Sequence, residues 1–444
     1  MSLLNSHARE SNISKFVIYS TDGTKNCDIT GGFARLQYTE SILENYLKLT
    51  VVAADTGFSV EKDGELVGTV EGLDLSSSET VEVKIEDGFG NVLDFSINED
   101  NPLRISRIRD ASNTSVDSMN FTLDLVSAEF FENKFVDNRV DGFFSGKISE
   151  TVKKILTDYL KTEKKLDIEE TMNSENITGN ETNDDPFYKC TWLGKRCIPT
   201  TPGANEKTAG FLFFETYDGY QFKSIERLLD SNGRSYKKYV YNNSTYCPPG
   251  YDGKILEAIS KTDIDLSKKM MSGSYGTKIE TFNYFNTAYE ESIASADSDD
   301  PAFSFAGTGL PQFSSEFYTT DGKFRPASLM NRMQPFGVTQ NIDKEKSKEK
   351  DYDVKSIEAQ AKMRYNQLYT STMTITIAGD FSHRAGDLIY CDFPKITSSK
   401  TSTVSSRNSG IYMIADLTHF ISARDGTFTK MNLVRDSFGR KPFQ

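Results

Sequence analysis

Alternation constrains this chain most. From Thr372 to Pro394 it reads TMTITIAGDFSHRAGDLIYCDFP, with Met373, Ile375 and Ile377 alternating with Thr372, Thr374 and Thr376. A second apolar run, Leu388 to Phe393, follows the AGDFSHRAGD loop. A period of two is that of a strand, so this stretch is predicted as strand, loop, strand. IYMIADLTHFI and TFTKMNLVR repeat the pattern and meet at SARDG, whose Asp425-Gly426 is a hairpin signal. The N-terminal part carries it too. KFVIYS, LKLTVVAAD and NFTLDLVS are β-prone runs, and EKDGEL and IEDGFGN hold Asp-Gly turns. Short strands with close turns, up to about Ser127, point to a small barrel or sandwich.

Between these β-rich ends the period changes. In SGKISETVKKILTDYLK, residues Ile148, Val152, Ile155, Leu156 and Tyr159 share one stripe, which predicts a helix near 146–161 with Ser145 as its N-cap. A polar excursion follows. PFYKCTWLGKRC is then predicted as a second short helix, completing a small α/β module at 129–205. GFLFFETYDGYQFKSIERLL reads as a hairpin, Phe211–Glu215 and Tyr220–Phe222 around Asp218-Gly219, with Ser224 capping a helical turn. Residues 231–350 are irregular, and the charge run DKEKSKEKD reads as a solvated linker. Asp353 is the expected cap of a helix at 353–368 with Ile357, Ala361, Tyr365 and Leu368 on one face. The fold class is α+β and β-rich.

The chain has 444 residues, enough for two to four domains of ordinary size. Lys and Arg total 51 against 64 Asp and Glu, a net charge of −13. That balance argues against tight nucleic-acid binding, which needs cations on phosphates. No apolar run approaches the roughly 18–20 residues of a membrane span, and the start lacks the pattern of a signal peptide. Five scattered cysteines read as reduced thiols of a cytoplasmically folded protein.

No motif of chemistry stands out. The three histidines, His7, His383 and His419, lack metal-site spacing, and there is no phosphate-binding glycine loop or nucleophile elbow. DNRVDG resembles the start of a calcium loop, but Arg139 and Ile148 occupy ligand positions. Glu40 and Glu44 read as a solvated pair. Asp380, His383 and Asp387 invite a His/Asp site. The favoured reading is an exposed turn in which Gly379 and Gly386 bend the chain and both aspartates bond backbone amides. His383→Ala is then expected to cost less than about 0.5 kcal/mol. Trp192 and the many Phe and Tyr residues read as core rather than as a carbohydrate platform. No catalytic, cofactor-binding or metal residue is assigned.

The order of elements resembles a known family. YTESILENYLKLTVVAADTG, FETYDGYQFKSIERLL, IEAQAKMRYNQLYTSTMTITIAGDFSHRAGDLIYCDFP and SGIYMIADLTHFISARDGTFTKMNLVRDSFG follow one another as in the baseplate central hub proteins of contractile-tailed bacteriophages. Those are related to the hub part of type VI secretion spikes. The resemblance implies two small β-barrel domains with the fold of the tail-tube subunit. One lies at 1–128; the second is split between 206–230 and 365–444, with an inserted domain at 231–364. It implies a structural, non-enzymatic homotrimer without a cofactor, forming a pseudo-sixfold ring in the tail baseplate of a virion assembled in the host cytoplasm. Implied partners are a separate central spike protein, the tail tube or its initiator, the tape measure protein and baseplate wedge proteins. The channel would pass tape measure and genome. A receptor- or carbohydrate-binding tail protein is the second reading and a peptidoglycan hydrolase the third.

Overall fold

The computed structural model describes residues 11–443 apart from 56, 58, 114–117, 173–176, 179–184, 201–209, 242–252, 261–264, 284–286, 297–305, 334–354, 396–403 and 425. His7, Cys247, the charge run, Asp353 and Asp425 lie outside the described residues. The N-terminal sheet is built from β1 (Asn12–Tyr19), β2 (Phe33–Ser41), β3 (Lys48–Asp55), β4 (Thr80–Glu86), β5 (Leu103–Asn113) and β6 (Met119–Ser127). Across the sheet they run β1-β4-β5-β6-β3-β2, every pair antiparallel. The alternation seen in the sequence sets the faces. Leu49, Val51 and Ala53 of β3 enter a core with Leu36, Phe95, Ile105, Leu123 and Leu125, while Lys48, Thr50 and Val52 face away.

The middle module is held by two helices and a hairpin. Helix α1 (Ile148–Lys154) continues as a wider turn through Tyr159. It starts after Lys147 with no side-chain cap, so Ser145 does not cap it; the first-turn amide of Ser149 donates instead to Thr171 Oγ1 at 3.0 Å. Strand β7 (Leu166–Ile168) follows, and helix α2 (Pro186–Gly194) begins on a proline that needs no N–H there. The hairpin β8 (Phe211–Thr216) and β9 (Gly219–Ser224) ends where Ser224 Oγ accepts the Arg227 amide. Its Phe211, Phe213, Tyr220 and Phe222 pack on the helices. Leu212 and Phe214 face the other way, onto Leu388 and Met413. The sequence reading gave this hairpin to the second barrel. In the structure its edge pairs with β7, in parallel, and it meets the C-terminal strands through side chains. A strand buried on both faces shows no alternation, which is why its allegiance was unreadable.

The C-terminal sheet comprises β10 (Lys238–Tyr241), β11 (Glu257–Ser260), β12 (Ser371–Ala378), β13 (Leu388–Asp392), β14 (Gly410–Ser422) and β15 (Gly426–Arg435), with helix α3 (Gln360–Leu368) ahead of β12. These strands run β10-β13-β14-β15-β12-β11. Lys254–Ile255, just before β11, pairs back on β10, so the hydrogen-bonding circuit closes. Ile375, Ile377, Ile389, Tyr412, Ile414, Met431 and Leu433 fill it.

Numbered by chain position within each half, both sheets have the order 1-4-5-6-3-2. They differ at the first pair, antiparallel for β1 with β4 and parallel for β10 with β13. They are also joined: β2 pairs antiparallel with β14 from Ser41↔Asp416 to Arg35↔Ser422, giving a continuous 15-stranded sheet.

An insertion between β11 and α3 adds a three-stranded sheet, Gly276–Asn283, Ala288–Ser295 and Ser328–Met333. Helix α3 and its leading turn bind three parts together. Leu368 packs on the C-terminal sheet, Ile357 and Ala361 meet Ile198 of the middle module, and Ala359 and Met363 meet Ile279 and Ala294 of the insertion.

Candidate functional site

Two features distinguish the join between the sheets. The first is its outward face. Alternation leaves Arg35, Gln37 and Thr39 of β2 beside Thr418 and Phe420 of β14 on the side away from the cores. Short side chains on this face bond across strands. Thr50 Oγ1 donates to Asp124 at 2.9 Å, Arg109 grips the same carboxylate through two nitrogens at 2.9 and 3.0 Å, and Thr374 Oγ1 donates to Asn432 at 2.8 Å. The result is a broad, polar, strand-built wall carrying Arg35, Lys48, Arg107 and Lys430 as well as Asp124 and Asp416.

The second feature lies beneath the join. The 379–387 loop enters between the sheets and is tied to both. Glu40 of β2, 1% exposed, accepts from Tyr38 Oη at 2.6 Å, from the Tyr217 amide at 2.8 Å and, from the loop, the Ala385 amide at 2.8 Å. Asp87, after β4, accepts the Phe381 amide at 2.7 Å. On the C-terminal side Lys237 Nζ donates to Asp380 at 2.6 Å, and His383 Nε2 lies 2.6 Å from Tyr239 Oη and 3.5 Å from Asp380. Arg384 donates to the Phe381 and His383 carbonyls and pairs with Asp218 at 3.1 Å. His419 of β14 bonds Thr429 Oγ1 at 2.8 Å, stacks on Tyr38 and meets Phe381 edge-on.

Burial sets the protonation states. It pushes the Glu40 carboxyl up to about 7, against the pull of Arg384 and of three donors. It holds His383 down to about 4, with Asp380 pulling the other way, and His419 down to about 3. Burial alone would raise Asp380, but His383, Lys237 and Ser382 bring it down to about 2. Both histidines are thus neutral at physiological pH. Lys237, Tyr38 and the Tyr217, Phe381 and Ala385 amides each donate to a fixed carboxylate of the same chain, while Arg384 Nε and His419 Nε2 are buried without a hydrogen-bond partner among the described residues; the fixed pairs suit a lock that sets the angle between two sheets.

The sequence-named residues fall out unevenly. Asp380 and Asp387 do accept backbone amides, from Ser382 at 3.0 Å and Arg384 at 2.8 Å, and Gly386 has φ +87°. His383 is not an exposed turn residue; it is 5% exposed, and its loss is expected to remove the 2.6 Å bond to Tyr239 Oη, which keeps a longer one to Asp380 at 3.4 Å, at about 1 kcal/mol. Glu44 is a surface partner of Lys48, but Glu40 is buried, contrary to the expectation for both. Trp192 carries Arg196 and Lys189 over its ring, at 3.6 and 4.7 Å. Cys27, Cys190, Cys197 and Cys391 are buried thiols. Among the described residues, no group of three or more His, Cys, Asp or Glu could hold a metal, and no helix is long and apolar enough to cross a membrane.

Sequence reasoning missed further buried charge. Lys164 bridges Glu129 at 2.8 Å and Glu215 at 2.6 Å, joining the middle module to the hairpin. Arg364 of α3, fully buried, bonds Glu226 at 2.8 Å and Asp436 at 3.1 Å, joining the helix to the helical turn after the hairpin and to the chain after β15.

This architecture recurs in solved structures. The chain is similar to the tail protein from Neisseria meningitidis MC58, with TM-score 0.53 and 12% identity over 96% of this chain and 97% of that one. It is likewise similar to the 43 kDa tail protein of prophage MuSo2 from Shewanella oneidensis, with TM-score 0.50 and 12% identity over 96% and 100%. The fold is that of tail proteins. No family model matches the chain, and no curated protein matches its sequence.

Proposed function

We propose that this chain is a structural hub of a phage tail baseplate. Three copies form a ring of six tube-like barrels that joins the central spike to the tail tube. The observation that carries the reading is the strand order 1-4-5-6-3-2 occurring twice in one chain, the two sheets being joined edge to edge. A chain with two like units needs three copies to match a sixfold tube. The polar outward face supplies the channel wall for tape measure and genome. Its short Thr and Asn side chains bond to one another, and its charges are of both signs, so it offers no stripe of cations to hold phosphate. The spike, the tube or tube initiator, the tape measure and the wedge proteins are the partners this role requires. The role is non-enzymatic and belongs to the virion tail. Light scattering tests it: with the spike protein present, the mass is expected to be that of three copies, and a monomer at high concentration contradicts it.

A further inference from the structure

The wall and the join leave one buried cluster unused. Lys164 lies between Glu129, on the helical turn after β6, and Glu215 of β8, with Nζ 2.8 and 2.6 Å from their oxygens. Glu215 is closed to solvent, and the other two side chains are nearly so. Leu47 and Tyr220, which pairs with Glu215 across the hairpin, are buried beside it. The donors on Glu215 are arranged unevenly. Its Oε2 accepts twice, from the Ser127 hydroxyl at 2.7 Å and from the Leu47 amide at 3.1 Å, while its Oε1 faces Lys164 Nζ. On Glu129, Thr162 Oγ1 donates to Oε1 at 2.6 Å and Lys164 Nζ to Oε2.

These contacts have the parts of an acyl-transfer site. Two fixed donors on one oxygen polarise a carboxyl as an oxyanion hole does. An amine touches the other oxygen of that carboxyl, one bond from its carbon, and a second carboxylate touches the amine. Fully ionised, the three groups would leave an unpaired negative charge in the core, so one carboxyl is kept as the acid. Groups held in this way react as though at about 10⁵–10⁸ M, which offsets the cost of condensing an acid with an amine. We propose that Lys164 and Glu215 join autocatalytically in an isopeptide bond, with Glu129 carrying the protons.

The resting charges fit those roles. Burial raises the Glu215 carboxyl against the pull of Lys164, so it is the acid. Burial would also raise Glu129, but Lys164 and Thr162 hold it below its ordinary value, so it is the carboxylate. Burial would lower Lys164, but both carboxylates hold it up as an ammonium. Lys164 first passes one proton to Glu129, and the free amine attacks Glu215 Cδ. The Nζ–Cδ bond forms while negative charge gathers on Oε2, against Ser127 and Leu47. The Cδ–Oε1 bond breaks, and Oε1 leaves as water with its own proton and the one Glu129 carries. Glu129 takes a second proton from the nitrogen, and the third stays on the amide. An ammonium, a carboxylate and an acid thus become an amide, a water and an acid, with no oxidant and no change in net charge. The bond ties the segment ahead of β7 to β8, at the two edges of the β7-β9-β8 sheet, and closes residues 164–215 into a loop. A cross-link of this kind stabilises the fold by restricting the unfolded chain. The inference does not rest on the hub reading.

Intact mass of the denatured full chain reads the bond. The parent is expected to be one water lighter than its sequence, and its tryptic digest to hold a branched peptide linking Lys164 to Glu215, uncut after Lys164. Lys164→Arg keeps the cation without the amine and is expected to have its full mass and a lower melting temperature. Glu129→Gln keeps the shape but cannot carry the proton; bond formation is expected to slow by about a hundredfold or more, leaving less than about a tenth of fresh protein cross-linked. A folded parent that keeps its full mass through prolonged incubation at neutral pH overturns the proposal, whether or not either variant folds. A loss of water that persists in Lys164→Arg, as cyclisation at an Asp-Gly step would, overturns it too. A branch mapped to Glu129 overturns the roles assigned to the two carboxyls. None of these results bears on the hub, whose test is the mass of the assembly.

Discussion

The two sheets of this chain share a strand order and differ in how they end. The C-terminal sheet closes on itself because Lys254–Ile255 leads into β11 and bonds β10. In the N-terminal sheet Asn26–Asp28, ahead of β2, likewise pairs back on β1, antiparallel where Lys254–Ile255 is parallel. What differs is the outer edge: β2 gives its edge to β14, and among the described residues β11 pairs with no strand but β12. The difference teaches that the halves are joined through a strand edge, so they are not independent barrels on a linker. The polar junction under the join follows from this. Glu40, Asp87, Asp380 and His383 are buried because two sheets press a loop between them, and each is paired because an unpaired group there would be costly.

The comparison breaks most severely at α3. Arg364→Met removes the cation that neutralises Glu226 and Asp436, leaving two buried carboxylates, and is expected to cost about 3–5 kcal/mol. Denaturant unfolding reads the loss. If Arg364→Met is within 1 kcal/mol of the parent, by that same scale the triad does not hold the C-terminal sheet in place.

A smaller effect is expected at the junction. Glu40→Gln keeps the size of the side chain but turns an N–H₂ toward one of three donors, at about 1–3 kcal/mol. Its pH dependence has a definite sign. The folded carboxyl is raised to about 7, so the folded state holds its proton over the window from 4.5 to 7. The parent therefore loses stability from this group as pH rises through that window, and the cost of the substitution is larger at the acid end. A cost that grows with pH contradicts the burial account.

His419→Gln gives the opposite slope. The imidazole is held down to about 3, so between there and 6.5 the unfolded chain binds a proton that the folded chain does not. The parent loses stability on acidification through that window, by up to about 1.4 kcal/mol per pH unit, and the variant does not. Thermal melts of both proteins between pH 4 and 7 are expected to converge toward the acid side. The smallest effect is His383→Ala, about 1 kcal/mol with the fold retained, since Tyr239 Oη keeps Asp380; a neutral result restores the exposed-turn reading.

Much of the strand content was legible. Thr372–Ile377 and the last hairpin alternate because their two faces meet different surroundings, and Leu388–Phe393 reads as a continuous apolar run because both its faces meet a core. The order of strands was not legible, since pairing is set by residues far apart in sequence; Thr39 and Thr418, which meet at the join, are 379 positions apart. The repeat stayed hidden for the same reason: the halves share pairing, not residues. Glu40 was misjudged because its burial is imposed by three other segments, and no local pattern around it differs from that of Glu44. The helix stripe Ile357, Ala361, Tyr365 and Leu368 reads in the sequence as one face. That face is shared among separate partners, because a helix at a crossing of modules buries more than one side.

The account stands on two like units per chain arranged around one axis. An electron-microscopic image of the protein purified with its spike, viewed down that axis, tests it most directly. The expected result is a threefold ring of six lobes, alternately N- and C-terminal. A particle without threefold symmetry, or a ring in which the N-terminal sheet of one copy does not touch the C-terminal sheet of the next, would contradict it.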